Sequence, residues 1–248
     1  LAKLTKRAHE TIKVLDPAAQ VVAASSTVIP GKLFQTESFF VRYARALHKL
    51  GDPVDAMAVH LYPVDTSKGP DTRAASIVAA QRVLNRVGVN RPLWDTEVNY
   101  GDRRPGLPQI VPDAQTAATY TARTYLDSAT MGIARTYWYG WDLHVLGIDH
   151  TTDAGVTPAG TAFLTVRDWL TGARPAGCSD DGGVRTCHFT AADGSAFTVV
   201  CPRTSIVISM GTVSRERPVD GVATLIHQRG VGPAERLGAE EAAVGTQR

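Results

Sequence analysis

The sequence has no apolar run near the ~18 residues that a membrane-spanning helix needs. It also lacks a basic cluster. Its 26 Lys and Arg face 24 Asp and Glu, for a net charge of +2, so the electrostatic footprint of a nucleic-acid binder is missing. No turn of the GxGxxG or GxxxxGK[ST] type follows any strand-like segment, which removes the main support for a nucleotide-binding sheet. Cysteine is scarce at three residues, with no CxxC pair and no Cys/His spacing suited to zinc. His9, His48, His144, His150 and His188 show no metal spacing either, so no metal and no cofactor is expected. What remains is an ordinary globular composition, 44% hydrophobic and 20% charged over 248 residues. That length allows one large domain or two small ones.

The first residues carry no apolar core followed by a cleavage site, so they do not read as a signal peptide. Leu4, Ala8, Ile12 and Leu15 have the spacing of the inner face of a helix. The chain is therefore expected to open inside a helix, as a fragment of a longer protein.

Helical and strand-like segments then alternate. After Asp16-Pro17 comes the apolar run Val21 to Ala24. Thr36 is a candidate cap for a helix with Phe39, Phe40, Tyr43, Leu47 and Leu50 on its apolar face and Gly51 at its end. Ala56 to His60 reads as a buried strand. A helix from about Asp71 turns Ile77, Ala80, Leu84 and Val87 inward and stops at Gly88. Pro92 to Thr96 is the next strand. Asp113 opens a helix with Ala118, Ala122, Tyr125 and Ala129 on one face, Ile133 to Trp138 is the fourth strand, and Thr161 to Leu170 closes the series. This order predicts parallel strands with crossover helices. The strand ends, near Ser25, His60, Thr96 and Trp138, are 35, 36 and 42 residues apart, which suits βα units of a barrel or of an open doubly wound sheet. Four such units make half of an eight-unit barrel.

Beyond Leu170 the pattern changes. Glycines and prolines punctuate short runs at Val184 to Phe189, Phe197 to Val200 and Ser205 to Ile208, which read as antiparallel strands of a small β domain. Ala192-Asp193-Gly194-Ser195 is a hairpin turn. The segment after Gln228 reads as a weakly packed tail with a short helix near residues 234 to 243. Cys178 and Cys187 flank a Gly-Gly turn. A bridge, implying an oxidising setting, and a pair of reduced core residues are both open readings. Cys201 reads as an apolar filler. The expected division is thus 1–170, 171–228 and 229–248.

Function in parallel α/β folds gathers at the carboxyl ends of the strands. Those ends carry Ser25-Ser26-Thr27, then His60-Leu-Tyr62, then Trp94-Asp95-Thr96-Glu97-Val-Asn99, then Tyr137-Trp138-Tyr139-Gly140-Trp141-Asp142. Aromatic faces stack on sugar C–H faces and short polar side chains bond hydroxyls, so the collection suits a carbohydrate cleft.

His60-x-Tyr62, Trp94-x-Thr96-Glu97 and Tyr137-Trp138 resemble strands six, seven and eight of clan A retaining glycoside hydrolases, such as families 5 and 39. The opening helix with Val21 to Ser26 resembles their fourth helix and fifth strand. Trp169-Leu170-x-Gly172 followed by a β domain resembles the sandwich appended to many members. The likeness covers roughly residues 1 to 210. It implies an α/β fold: the carboxyl-terminal half of a (β/α)8 TIM barrel, followed by a small antiparallel β-sandwich.

By the same resemblance Glu97 is the catalytic nucleophile. His60 and Tyr62 stand beside it, Trp138 is the sugar platform, and Asn99 and Trp141 are further substrate contacts, with Asp142 a weaker one. The implied substrate is an oligosaccharide, polysaccharide or other β-linked glycoside, and the implied location extracellular. The family's acid/base is a Glu after an Asn, and no Asn-Glu pair occurs here. Asp65, Asp95 and Glu37 are carboxylates outside the motif position. The expectation is an N-terminally truncated glycosidase, inactive alone and prone to self-association through open barrel edges. The alternative is a non-catalytic carbohydrate-binding or decayed glycosidase-like protein.

Overall fold

The computed structural model describes residues 1–28, 38–63, 66–106, 109–181, 184–202, 207–210, 223–227 and 235–237. They divide into two compact units. One comprises 1–110, 131–140 and 145–147, the other 111–130, 141–144 and 148–248.

The first unit holds the parallel strands. β1 (Met57–His60), β2 (Leu93–Val98) and β3 (Ile133–Trp138) lie side by side in chain order. The segment around Val22 to Thr27 pairs in parallel with β1 through Val22–Ala56 and Thr27–His60. Among the described residues three parallel strands and one bridged segment before them are therefore present, in the expected order. Helices α1 (Ala2–Leu15), α2 (Phe39–His48) and α3 (Arg73–Val87) belong to the same unit. Phe40, Tyr43, Leu47, Ile77, Ala80 and Leu84 pack on Met57 and Val59, which is the apolar stripe the 3.6-residue period foretold.

Three local expectations change. The cap of α2 is Ser38, whose hydroxyl accepts from the Val41 amide; Thr36 lies outside the described residues. A short 3-10 turn, Thr66–Thr72, precedes α3, so the α-helix starts later than Asp71. Gly88 ends α3 at φ 88°, where a side chain would be strained. The third change is the facing of α1. Leu4 is 65% and Leu15 81% exposed, and Ala2 is the buried residue. The inward side is the polar one: Thr5 bonds the Tyr43 hydroxyl at 2.7 Å, and Lys13 pairs with Asp55 at 2.9 Å. Polar partners already waiting on α2 and before β1 outweigh the weak apolar stripe.

The second unit holds α4 (Ala114–Thr130), the short pair β4 (Thr151–Thr152) and β5 (Gly155–Val156), α5 (Pro158–Leu170) and a six-stranded sheet. Asp113 caps α4 by accepting from the Thr116 amide and hydroxyl. Thr157 caps α5, whose first residue, Pro158, is three residues ahead of the expected start. α4 is rich in buried hydroxyls. Thr124 and Ser128 satisfy theirs on the carbonyls four residues back, as buried helical Ser and Thr must.

The sheet runs β6 (Arg174–Asp181), β7 (Val184–Thr190), β8 (Ala196–Pro202), β9 (Val207–Met210), β10 (Ala223–His227) and β11 (Glu235–Leu237). All neighbours are antiparallel except the parallel pair β9–β10. Among the described residues these strands make one sheet and not the two of a sandwich. The apolar side chains Cys187, Phe189, Phe197 and Val199 pack on Ala122 and Leu126 of α4 and Val166 of α5. Helices therefore cover a face that a second sheet would otherwise need to cover. Glu235–Leu237 is a strand where a short helix was expected, and the rest of the expected tail helix lies outside the described residues. Cys178 and Cys187 stand directly opposite and are disulfide-bonded, which decides between the two readings of that pair. The Ala191–Ser195 hairpin closes as foreseen, with Asp193 accepting from the Ser195 amide.

Candidate active site

The carboxyl ends of β1 and β2 bring the first cluster together. Tyr62 follows β1 by two residues, and Glu97 sits near the end of β2. The Tyr62 hydroxyl donates to Glu97 Oε1 at 2.7 Å. His60 Nδ1 lies 3.5 Å from Glu97 Oε2. The His60 and Glu97 side chains are 25% and 27% exposed, open enough to meet a ligand and enclosed enough to be held. Burial, reinforced by the Glu97 carboxylate, pushes the Tyr62 phenol above its ordinary range. Tyr62 is thereby a donor at any working pH.

β1 and β2 are not in simple register. Val59 pairs with Asp95, but His60 pairs with Glu97, so Thr96 is the extra residue of a β-bulge. Its hydroxyl is tied down on both sides, to the Val59 carbonyl at 3.2 Å and to the Ser25 hydroxyl at 2.7 Å. Ser25, at the end of the first parallel segment, thus supports the strand that carries Glu97.

Trp138 is half-buried on β3, paired in register with Val98, and its ring lies 5.9 Å from that of Tyr100. Asn99 is 1% exposed. Its amide nitrogen donates to the Tyr139 carbonyl at 2.7 Å, and its oxygen accepts from the Tyr100 amide at 2.6 Å. Those bonds tie the end of β2 to the chain after β3, from a buried position. Trp141 belongs to the second unit, where its ring meets His150 at 4.5 Å and Phe163 at 4.9 Å, edge to face.

Asp95 and a residue that the sequence did not single out, Arg73, complete the region. Asp95 is fully buried, and its Oδ2 accepts from Arg73 Nη2 at 2.6 Å. Its Oδ1 accepts from the Leu61 amide at 3.0 Å and the Glu97 amide at 3.4 Å. Burial pushes the Asp95 carboxyl up, opposed by Arg73 and the two amides. So enclosed and paired, Asp95 has no route to a leaving group. Glu37 and Asp65 lie outside the described residues. Among the described residues no group of three His, Cys, Asp or Glu could hold a metal ion.

The loop after β2 folds back on itself. Asp102 and Ile110 exchange backbone bonds at 2.8 and 2.9 Å. Gly101, at φ 80°, has no room for a Cβ against the Ile110 carbonyl and Gly147. Arg104 forks onto Asp102, holding that carboxyl down to about 2 by its side chain and amide.

No protein-family model matches the chain, and no curated protein matches it. Solved structures do. A glucosidase from Croceicoccus marinus superposes with a TM-score of 0.62 at 17% identity, over 81% of this chain and 43% of its own. An alpha-L-arabinofuranosidase from Thermotoga maritima, solved with arabinose, gives 0.57 at 13% identity, over 80% and 46%. A family 39 glycoside hydrolase from the gut symbiont Bacteroides cellulosilyticus gives 0.53 at 16% identity, over 80% and 43%. This chain shares its fold with part of each of these three structures and spans less than half the length of each.

Proposed function

We propose that this chain carries the nucleophile side of a retaining glycoside hydrolase, with Glu97 as the nucleophile. The observation that carries the reading is the Tyr62–Glu97 hydrogen bond of 2.7 Å, made between adjacent parallel strand ends with His60 beside it. A carboxylate held on one oxygen by a neutral donor is aimed and kept ionised. Such a group attacks the anomeric carbon, the glycosidic C–O bond breaks, and a glycosyl-enzyme ester forms. Water then releases the sugar with retained configuration. Trp138 is the platform on which the sugar at the cleaved bond stacks.

The reaction also needs a second carboxyl group about 5 Å from the first, to protonate the leaving oxygen. On this reading it comes from residues other than those described. The finer proposal is that residues 1–170 correspond to the carboxyl-terminal half of a (β/α)8 barrel. The three parallel strands in chain order and the bridged segment before them support it, as does coverage of 43% to 46% of three glycosidases. The substrate is an oligosaccharide or other β-linked glycoside. By itself the chain would cleave natural glycosides poorly and would self-associate through unpaired strand edges. The Cys178–Cys187 bridge supports an extracellular location.

The test separates nucleophile from acid. A 2,4-dinitrophenyl glycoside has a leaving group that departs without a proton, so its cleavage reads the nucleophile alone. The expected result, over a panel of such β-glycosides, is release of dinitrophenolate and a glycosyl adduct on the Glu97 peptide. Glu97→Gln should lower that release by about 10³-fold or more. Sugar binding with no release and no adduct would leave the carbohydrate-binding alternative standing in its place.

A further inference from the structure

The bulge at Thr96 creates a problem that the chain solves with charge. A bulge interrupts the ladder and leaves amides without strand partners. The Leu61 amide, just past β1, and the Glu97 amide, just past the bulge, both turn to Asp95 Oδ1, at 3.0 and 3.4 Å. The other oxygen is taken by Arg73, the first residue of α3, at 2.6 Å. Arg73 and Asp95 are 1% and 0% exposed.

A buried ion pair adds little net stability over an apolar pair of the same volume, because desolvation cancels the attraction. What this pair adds is direction. One carboxylate grips the backbone on both sides of the site: Leu61 immediately precedes Tyr62, and Glu97 is gripped at its own amide. The guanidinium prevents that carboxylate from rotating. Asp95 is also among the charges that raise the Tyr62 phenol, so its influence reaches the site electrostatically.

We propose that Arg73 and Asp95 are positioning residues: the pair holds the strand ends of β1 and β2 at the bulge, and so sets the Tyr62–Glu97 contact. This rests on the reading of Glu97 as nucleophile for its catalytic consequence, and on geometry alone for its structural one. A misplacement of the order of 1 Å at a reacting group costs about 10²-fold in rate. The effect should fall on the glycosylation step and not on sugar binding, because neither residue faces the ligand.

The experiment uses Asp95→Asn, with Arg73→Gln/Asp95→Asn as a second variant that leaves no unpaired buried charge. Amide hydrogen exchange is followed residue by residue, and cleavage of a 2,4-dinitrophenyl β-glycoside is followed in parallel. Expected in both variants is faster exchange, about tenfold or more, at Leu61 and Glu97 relative to the β1 and β2 interiors. The glycosylation rate should drop by about 10–100-fold with KM changed less than about threefold. Arg73→Lys, which keeps the charge, should recover part of the rate. Unchanged exchange at those two amides would overturn the proposal. So would a uniform rise in exchange with unchanged turnover per folded molecule, the mark of a merely structural pair. If wild-type protein forms no adduct on Glu97, the nucleophile reading fails while the exchange measurement still decides the positioning claim.

Discussion

Tyr62 and Glu97 are 35 residues apart in the chain and are joined by a single hydrogen bond of 2.7 Å across two parallel strand ends. A hydrogen bond to a charged group is worth about 1.5–3 kcal/mol. Tyr62→Phe keeps the ring and removes the donor. Glycosylation should fall by about 10–100-fold with the melting temperature nearly unchanged, read by dinitrophenolate release and thermal unfolding. Equal rates in the two proteins would remove Tyr62 from the site.

Asn99 offers a contrasting test. Its amide satisfies the Tyr139 carbonyl and the Tyr100 amide from a buried position. Asn99→Ala leaves both backbone groups short of a partner, at a cost of about 2 kcal/mol. A lower unfolding midpoint with an unchanged KM is expected. A raised KM at wild-type stability would return Asn99 to the ligand.

His150 gives the second unit a pH dependence. Burial pushes its imidazole down from 6.5 to about 4. The unfolded chain therefore takes up its proton at higher pH than the folded one. Stability is fully present above pH 6.5 and is lost as the pH falls towards 4, by about 3 kcal/mol for this group. Denaturant titrations at pH 7 and pH 4.5 should show the loss, and His150→Gln should flatten it. Equal midpoints for the wild-type chain at the two pH values would contradict the assignment.

The Cys178–Cys187 bridge closes a separation of 9 residues. Loop-closure entropy puts its worth at about 2–3 kcal/mol. Reduction, or Cys178→Ser with Cys187→Ala, should lower the melting temperature by several degrees. An unaffected melt under reductant would show that the hairpin holds without it.

Much of the architecture was legible because periodicity reports which side of an element is apolar. The three parallel strands, the stripes of α2 and α3 and the Ala191–Ser195 hairpin all follow from local pattern. β6 was not legible: its residues are all exposed, and Pro175 and Gly177 hide a strand whose evidence is its pairing with β7.

That His60, Tyr62 and Glu97 meet at adjacent strand ends was legible because strand ends follow from strand patterns. The remaining relationships needed the tertiary structure. α1 turns Thr5 and Lys13 inward because Tyr43 and Asp55 await them, which no apolar count within the helix reveals. Asn99 and Asp95 were both polar residues near a strand end, yet one ties β2 to the chain beyond β3 and the other receives Arg73 and two amides. The difference lies in the register of β1 against β2. That register is set by one extra residue at Thr96 and by partners 22 and 34 positions away. Local sequence determines which side chains can reach the site; the bulge, a property of two strands at once, decides which of them do.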